Sequence, residues 1–225
     1  MHTARVPPER RTTASPTATV GVVLLADISG YTRFLRAVEE AHRDDVFSGD
    51  EVPDAYSFVS SLLDGIVDSV VPPFELSKLE GDAVFAWSGD TGAVPRGSEL
   101  LAFIARCYAA FQTQLGRALE IWTCPCGSCA LVRTIDLKFV LHAGPFVVQS
   151  IAGRTELVGP TVIMAHRLLK SGASSVVGHG AYALITESAA QQLEVPTLGA
   201  TPLVEEIEHY VPIHAHVYSV PELQA

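Results

Sequence analysis

One segment near the start of the chain limits the possible folds more than any other. Val20–Ala26 is an almost continuous run of apolar residues, rich in valine and leucine. Such a run favours a strand that is buried on both faces at the centre of a sheet. Asp27-Ile28-Ser29-Gly30 ends the run, and the helical spacing of the apolar residues that follow predicts a helix over Tyr31–His42. The core therefore begins with a buried strand, a short polar turn and a helix.

The rest of the chain mixes helices with short strands. Helical spacing predicts four further helices: about Tyr56–Val70, Ser98–Leu119, Thr161–Lys170 and Glu187–Leu193. Strand patterns fall at Phe74–Leu79, Ala83–Ser88, Leu137–His142, Phe146–Ile151 and Tyr182–Thr186, with a closing hairpin over Val204–Val220. We expect Ala143-Gly144-Pro145 to be the turn that joins the third and fourth of these strands. This order predicts an α+β fold rather than a doubly wound parallel sheet.

Composition narrows the classes of function. The 225 residues carry a formal net charge of −10, which disfavours nucleic acid and anionic membranes as partners. The sequence contains no apolar run of the roughly 18 residues that a membrane span needs. Residues 1–18 contain prolines and arginines without an apolar stretch, so we expect a disordered tail rather than an export signal. One cytoplasmic domain over residues 19–221 is then expected, with reduced cysteines.

Two aspartates stand where elements end. Asp27 follows the buried strand, and Asp82 lies at the tip of the hairpin turn Glu80-Gly81-Asp82. Two carboxylates from separate elements can converge in one crevice and hold Mg²⁺ ions together with a polyphosphate. The helix that opens at Gly30 would add backbone N–H groups suited to phosphate. The alternatives are that Asp27 is only a helix N-cap and that Asp82 is only a turn residue.

Four segments together resemble the signature blocks of a known family. They occur in the family's order and are LLADISGYTRFL (24–35), KLEGDAVFAW (78–87), LKFVLHAGP (137–145) and VGPTVIMAHRLLKSG (158–172). The four segments resemble the signature blocks of class III adenylate and guanylate cyclases. The CPCGSC insert resembles sequences of a bacterial branch of that superfamily. The resemblance implies a ferredoxin-like βαββαβ nucleotidyl-cyclase core, with an antiparallel-rich sheet and helices on one face.

The resemblance also implies roles for the matching positions. Two Mg²⁺ or Mn²⁺ ions would be held by the carboxylates of Asp27 and Asp82 and the backbone carbonyl of Ile28. The β- and γ-phosphates of ATP would be held by Gly30, Tyr31 and Thr32. The adenine base would be read by Lys78 and Glu156, and charge on the transferring phosphate would be stabilised by Arg167. Family members form their sites at a head-to-tail homodimer interface, where one protomer gives the aspartates and the other gives the lysine and arginine.

Two departures from the family pattern leave two functions open. Ile163 replaces the transition-state asparagine, and the stretch His209–His216, where the family has a phosphate-binding lysine, has none. Losing one preorganised polar contact typically costs about 10²–10³ in rate. One hypothesis is an adenylate cyclase of low activity that forms cyclic AMP and pyrophosphate in signal transduction. The other is a degenerate cyclase-like domain that binds a nucleotide and dimerises as a regulatory module.

A cysteine-rich insert at about residues 120–134 is the last feature. Cys124, Cys126 and Cys129 are spaced as ligands of a structural zinc ion, for which Cys107, a histidine or a second protomer would supply a fourth ligand. Structural thiols without a metal, or a redox pair, are the alternatives. A zinc-stabilised interaction domain without nucleotide function is accordingly a third hypothesis. We interpret His142 and His166 as packing or capping residues.

Overall fold

The computed structural model describes residues 15–43, 54–121, 126–178 and 180–224, and it has the α+β class that the sequence predicts. The strands are β1 (Thr17–Ser29), β2 (Glu75–Glu80), β3 (Ala83–Ser88), β4 (Asp136–Ile151), β5 (Arg154–Val158), β6 (Tyr182–Thr186), β7 (Thr201–Glu205) and β8 (Ile213–Ser219). The helices are α1 (Tyr31–Ala41), α2 (Asp54–Val70), α3 (Ser98–Ile121), α4 (Pro160–Leu168), α5 (Ala173–Val176) and α6 (Glu187–Gln192). Two 3₁₀ helices cover Cys129–Thr134 and Pro221–Gln224.

One eight-stranded sheet organises the described residues. Its order is β2-β3-β1-β4-β6-β8-β7, and β5 pairs with β4. The pairing of β4 with β6 is parallel, and the other pairings are antiparallel. β1 lies between β3 and β4, and its residues Val22–Ala26 have no exposed surface. The interpretation of Val20–Ala26 as a central buried strand is therefore confirmed.

Helices cover both faces of this sheet rather than one. Val22 and Leu24 of β1 belong to a core shared with α1, α2, α3 and α6. Val23 and Leu25, which point to the opposite face, pack in a second core with α4 and α5. The prediction of helices on one face was incomplete because both sets of alternating side chains in β1 are apolar, and each needs cover. We call the side covered by α4 and α5 the α4 face.

The expected turn at Ala143-Gly144-Pro145 is wrong, because these residues lie inside the single long strand β4. They pair with Val20–Val22 of β1 in continuous antiparallel register. Gly144 is required there for space, since a Cβ at this position would lie 2.7 Å from Oγ1 of Thr161. The turn lies further on, at Ala152 and Gly153, whose φ angles of 54° and 79° suit a two-residue hairpin loop between β4 and β5.

The boundaries of other elements are close to those expected. β3 and β6 have the predicted bounds, whereas β1 begins at Thr17 and includes two residues assigned to the N-terminal tail. Residues 1–14 of that tail lie outside the described residues. Among the helices that are described, none combines the length and apolar character needed to cross a membrane.

Candidate functional site

The two aspartates singled out in the sequence lie at the same end of neighbouring strands. Asp27 is near the end of β1, and the antiparallel register places it opposite Ala83, the residue after Asp82. The backbone N–H of Ile28 donates to the carbonyl oxygen of Asp82 over 3.1 Å. Burial raises the pKa of the Asp82 carboxyl, and the negative charge of Asp27 raises it further. The structure thus brings these two carboxylates into one neighbourhood of concentrated negative charge.

A lysine that the sequence analysis missed already pairs with one of them. Lys138 lies opposite Asp27 in the register between β1 and β4. Its Nζ is 2.8 Å from Oδ2 of Asp27, and the two side chains are only 19% and 13% exposed. Nζ of Lys138 also donates to the carbonyl oxygen of Leu169 at the end of α4. A lysine in an otherwise apolar strand was the available signal, because a buried ammonium needs an acidic partner.

The turn between β1 and α1 requires a glycine and leads into a helix start without a side-chain cap among the described residues. Gly30 has a φ of 83°, and a Cβ there would lie 3.0 Å from the carbonyl oxygen of Thr134. In the described part of the chain, no side-chain hydrogen bond caps this end of α1. The first N–H groups of a helix, here those of Tyr31 and Thr32, have no intrahelical acceptor. Burial and the charge of Asp82 raise the pKa of Tyr31, so the turn adjoins the aspartates.

The two residues expected to read the base are also brought together. Nζ of Lys78 on β2 lies 2.9 Å from Oε2 of Glu156 on β5 and 3.4 Å from Oε1 of Glu80. The hydrogen bond to Glu156 is the largest cause that raises the pKa of Lys78. A donor and an acceptor therefore stand side by side on the α4 face, a pairing suited to the edge of a purine base.

Glu80 and His166 lie next to Lys78 and Glu156. The sequence pattern did not predict that Glu80 and His166 would be in contact. Nε2 of His166 on α4 contacts Oε2 of Glu80, while its Nδ1 lies 2.7 Å from the carbonyl oxygen of Val162. Each nitrogen of the imidazole therefore faces an oxygen that can accept a hydrogen bond. The imidazole also packs edge-on against Phe85. His166 therefore fastens α4 to β2 beside Lys78.

Arg167 on α4 contacts the segment between β7 and β8. Its guanidinium lies 3.5 Å from the carbonyl oxygen of Glu208 and 5.9 Å from the ring centre of Tyr210. One turn earlier on α4, Ile163 is 48% exposed. These two residues line an open cleft with Val162, His166 and Lys170. The position expected to hold the family's asparagine is thus an exposed apolar side chain beside Arg167.

The remaining histidines of this region make local contacts. His142 on β4 lies 3.0 Å from Oγ1 of Thr186, and burial lowers its pKa to about 4. In the stretch that lacks the family's lysine, His216 lies 2.6 Å from Oε2 of Glu187. That hydrogen bond is the largest cause that lowers the pKa of Glu187. His142 is therefore a neutral packing residue, in keeping with the interpretation from sequence.

Two of the three insert cysteines lie beside a histidine. The Sγ atoms of Cys126 and Cys129 are 3.5 Å and 3.6 Å from Nε2 of His42, the residue that follows α1. The three ligand atoms lie within 4.8 Å of one another, so the group could bind a metal ion. Cys124 lies outside the described residues. Cys107 is elsewhere, buried against the carbonyl oxygen of Ser69, and burial raises its pKa to about 12.

Solved structures define the class to which this fold belongs. The adenylyl cyclase CyaB from P. aeruginosa has a TM-score of 0.61 at 12% identity, over 92% of this chain and 97% of that chain. The guanylyl cyclase Cya2 has a TM-score of 0.59 at 12% identity, over 91% and 93%. The guanylate cyclase domain of RhGC from Catenaria anguillulae, in complex with GTP, has a TM-score of 0.52 at 18% identity, over 92% of this chain and 98% of that chain. The chain therefore has the fold of a class III nucleotidyl-cyclase catalytic domain, as its sequence blocks suggested.

Sequence comparison gives the family. Residues 59–176, from α2 to α5, match the family described as "Protein of unknown function (DUF2652)". "Uncharacterized protein Rv2561/Rv2562" of Mycobacterium tuberculosis (strain ATCC 25618 / H37Rv) is 30% identical over 154 residues, which are 67% of this chain and 68% of the relative. The chain belongs to the DUF2652 family.

Proposed function

We propose that this chain is a nucleotidyl-cyclase domain that binds ATP with two divalent ions at a head-to-tail homodimer interface and slowly forms cyclic AMP and pyrophosphate. The observation that carries the proposal is the placement of Asp27 and Asp82 together beside the uncapped start of α1. Carboxylates and free backbone N–H groups are the complementary halves of a site for a metal–triphosphate complex. The proposed site comprises Asp27, Asp82, Ile28, Gly30, Tyr31 and Thr32 from one protomer and Lys78, Glu156 and Arg167 from the other.

The chemistry of the aspartates fits Mg²⁺ or Mn²⁺. The pKa of Asp82 is raised by burial and by the charge of Asp27, and a bound cation would relieve both causes. Lys138 offsets part of the negative charge, which lowers the attraction for metal without removing it. When bound, the ions would lower the pKa of the attacking 3′-hydroxyl and neutralise the leaving pyrophosphate.

The base-reading pair supports a purine nucleotide and is the basis for proposing ATP. Lys78 can donate to the ring nitrogen of adenine, while Glu156 can accept from its exocyclic amino group. The 2.9 Å contact between them holds both side chains in position before the base arrives. Among the proteins of this fold, the catalytic core of a rhodopsin-guanylyl cyclase with converted specificity was solved with ATPalphaS, and the RhGC domain with GTP.

A second candidate function has its own supporting observation. Ile163, 48% exposed beside Arg167, cannot hydrogen-bond a ribose or phosphate oxygen. With the lysine also missing from the stretch His209–His216, nucleotide binding could persist while turnover is lost. The domain would then act as a nucleotide-binding, dimerising regulatory module.

A product assay combined with calorimetry separates the two functions. Purified full-length protein is incubated with Mn²⁺ and ATP or GTP, and cyclic nucleotide and pyrophosphate are measured over hours. We expect slow formation of cyclic AMP, and a fall of at least about 100-fold with Asp27→Asn, because a preorganised charged contact is lost. Metal-dependent ATP binding without product would favour the regulatory module.

A matched control keeps the result specific to the site. Asp64 is an exposed aspartate on α2, and Asp64→Asn removes the same charge away from the crevice. Activity and ATP affinity should be unchanged in that variant. Product formation that Asp27→Asn does not reduce would refute the catalytic assignment, and failure of the wild-type protein to bind ATP with Mn²⁺ would refute both functions.

A further inference from the structure

We propose that His42, Cys126 and Cys129 bind a structural Zn²⁺ ion that fastens the end of α1 to the cysteine insert. The site is separate from the proposed nucleotide site and does not depend on it. His42 was not singled out by the sequence pattern, because it lies 84 residues before Cys126 and no spacing rule connects them. The fold alone brings the imidazole to the thiols.

The distances among the three ligand atoms fit one tetrahedral zinc ion. Zinc lies about 2.3 Å from a cysteine sulfur and about 2.0–2.1 Å from a histidine nitrogen. With a tetrahedral angle at the metal, these lengths place sulfur and nitrogen about 3.5–3.6 Å apart. The two observed separations between Sγ and Nε2 are 3.5 Å and 3.6 Å. Both sulfurs therefore have the separation from Nε2 that a shared zinc ion needs.

The local backbone supports thiolates in this position. The N–H of Cys129 donates to Sγ of Cys126 over 3.2 Å, which stabilises negative charge on that sulfur. Cys126-Gly127-Ser128-Cys129 has the two-residue spacing that lets both sulfurs face one ion. Cys129 is only 3% exposed, so a charged sulfur there needs a counter-charge. A Zn²⁺ ion provides that charge.

The chemistry of the donors selects the metal. Two thiolates and one imidazole are soft and borderline ligands, which favour zinc over the Mg²⁺ or Mn²⁺ expected at the aspartates. We therefore expect the thiolate site to take zinc rather than the ions proposed at the aspartates.

The position of the site suggests what the ion does. His42 follows the C-terminal end of α1, while Gly30 at its N-terminal end lies against Thr134 and Ile135. Thr134 ends the 3₁₀ helix that begins at Cys129. The segment from Cys126 to Ile135 therefore contacts both ends of α1, and an ion at one end would hold the helix against it along its length.

The test uses the full-length protein with Zn²⁺ and with Co²⁺ as a spectroscopic probe. Under reducing conditions we expect one Zn²⁺ per chain by elemental analysis. The Co²⁺-loaded protein should show thiolate-to-cobalt charge-transfer bands and tetrahedral d–d bands. Cys126→Ser, Cys129→Ser and His42→Ala should each weaken Zn²⁺ affinity by more than about 100-fold, since even losing a residue that only supports a metal ligand costs 10–100-fold. Removing zinc with a chelator should lower Tm by about 10 °C, which re-added zinc restores.

Matched variants separate ligand loss from misfolding. Cys107→Ala removes a buried thiol outside the group, and His209→Ala removes an exposed histidine, so both should keep full zinc content. The chelated wild-type protein, which carries no substitution, tests the site even if a variant fails to fold. Fewer than one bound zinc in the reduced wild-type protein, no charge-transfer bands, or unchanged affinity in His42→Ala would overturn the proposal. A disulfide between Cys126 and Cys129 that resists these reducing conditions would overturn it as well.

Discussion

Lys138 forms an ion pair with Asp27, one of the two aspartates of the candidate site. Its ammonium lies 2.8 Å from Asp27, and both side chains are largely buried. In the protein without a metal it balances a charge that would otherwise be left in a poorly solvated position. Its positive charge would also weaken the proposed metal site, because it opposes a cation bound beside Asp27.

Without the ammonium of Lys138, the carboxylate of Asp27 should depend on a bound metal ion for its counter-charge. We expect Lys138→Met to lower the free energy of unfolding by about 2–4 kcal/mol, because it leaves the Asp27 carboxylate without its partner. Mn²⁺ should then stabilise the variant more than it stabilises the wild-type protein, since the ion supplies the missing charge. Chemical denaturation with and without Mn²⁺ measures both effects.

The control for this experiment is Arg117→Met, which removes an exposed positive charge from α3. It should change the stability and the effect of Mn²⁺ only slightly. If Lys138→Met behaves like this control, Lys138 does not compensate the proposed metal site.

Sequence reasoning found the acidic half of the candidate site but not its partners. Asp27 and Asp82 mark the ends of strands, which are local features that a pattern can show. Lys138 and His42 contact their partners through register and packing between elements far apart in the chain. No local spacing encodes those contacts, so only the folded structure identifies them.

At the scale of elements, hydrophobic periodicity predicted most helices and strands. It failed at one predicted turn, where a glycine is present because of packing against a helix. β3 and β6 match their predicted bounds because short apolar runs end at clear polar breaks. The expected turn at Ala143-Gly144-Pro145 fails because Gly144 is needed for room next to Thr161 on α4. A glycine required by a neighbouring element has the same sequence signal as a glycine required by a turn.

This explanation of Gly144 can be tested directly. Gly144→Ala should destabilise the protein by about 1–3 kcal/mol, because its Cβ would lie 2.7 Å from Oγ1 of Thr161. Thr161→Ala should also cost about 1 kcal/mol, since the hydroxyl donates to the carbonyl oxygen of Pro145. The double variant should lose less than the sum of the two, because removing the hydroxyl relieves the clash.

Denaturant unfolding of the four proteins in this cycle gives the coupling free energy. Gly116→Ala in α3 is the matched control, because a Cβ there meets nothing within 4 Å and alanine favours the helix. It should be neutral or slightly stabilising. Strictly additive losses in the Gly144 and Thr161 variants would contradict the steric explanation.

At the scale of the whole molecule, the proposed site is divided between two regions of one chain. The aspartates and the turn at Gly30 lie at the end of β1, whereas the guanidinium of Arg167 contacts the loop between β7 and β8. A head-to-tail homodimer, as proposed above, would bring Arg167 of one protomer to the aspartates of its partner. Each dimer would then contain two equivalent sites.

Mixing two defective chains tests this division. Asp27→Asn and Arg167→Ala should each lose cyclase activity in every dimer that they form alone. In a mixed dimer, one site combines the two intact halves and the other combines both defects. Equal amounts of freely exchanging chains should therefore recover about a quarter of the wild-type sites. Cyclic AMP formed with Mn²⁺ over hours, relative to the wild-type protein, measures the recovered fraction.

The matched control mixes Asp27→Asn with the double variant Asp27→Asn/Arg167→Ala. Neither chain of this mixture has Asp27, so no site can be complete. It should recover nothing, although its chains exchange in the same way. If exchange is demonstrated by labelled chains and the first mixture also recovers nothing, the site is not shared between protomers. If instead Arg167→Ala alone keeps full activity, Arg167 has no part in the site.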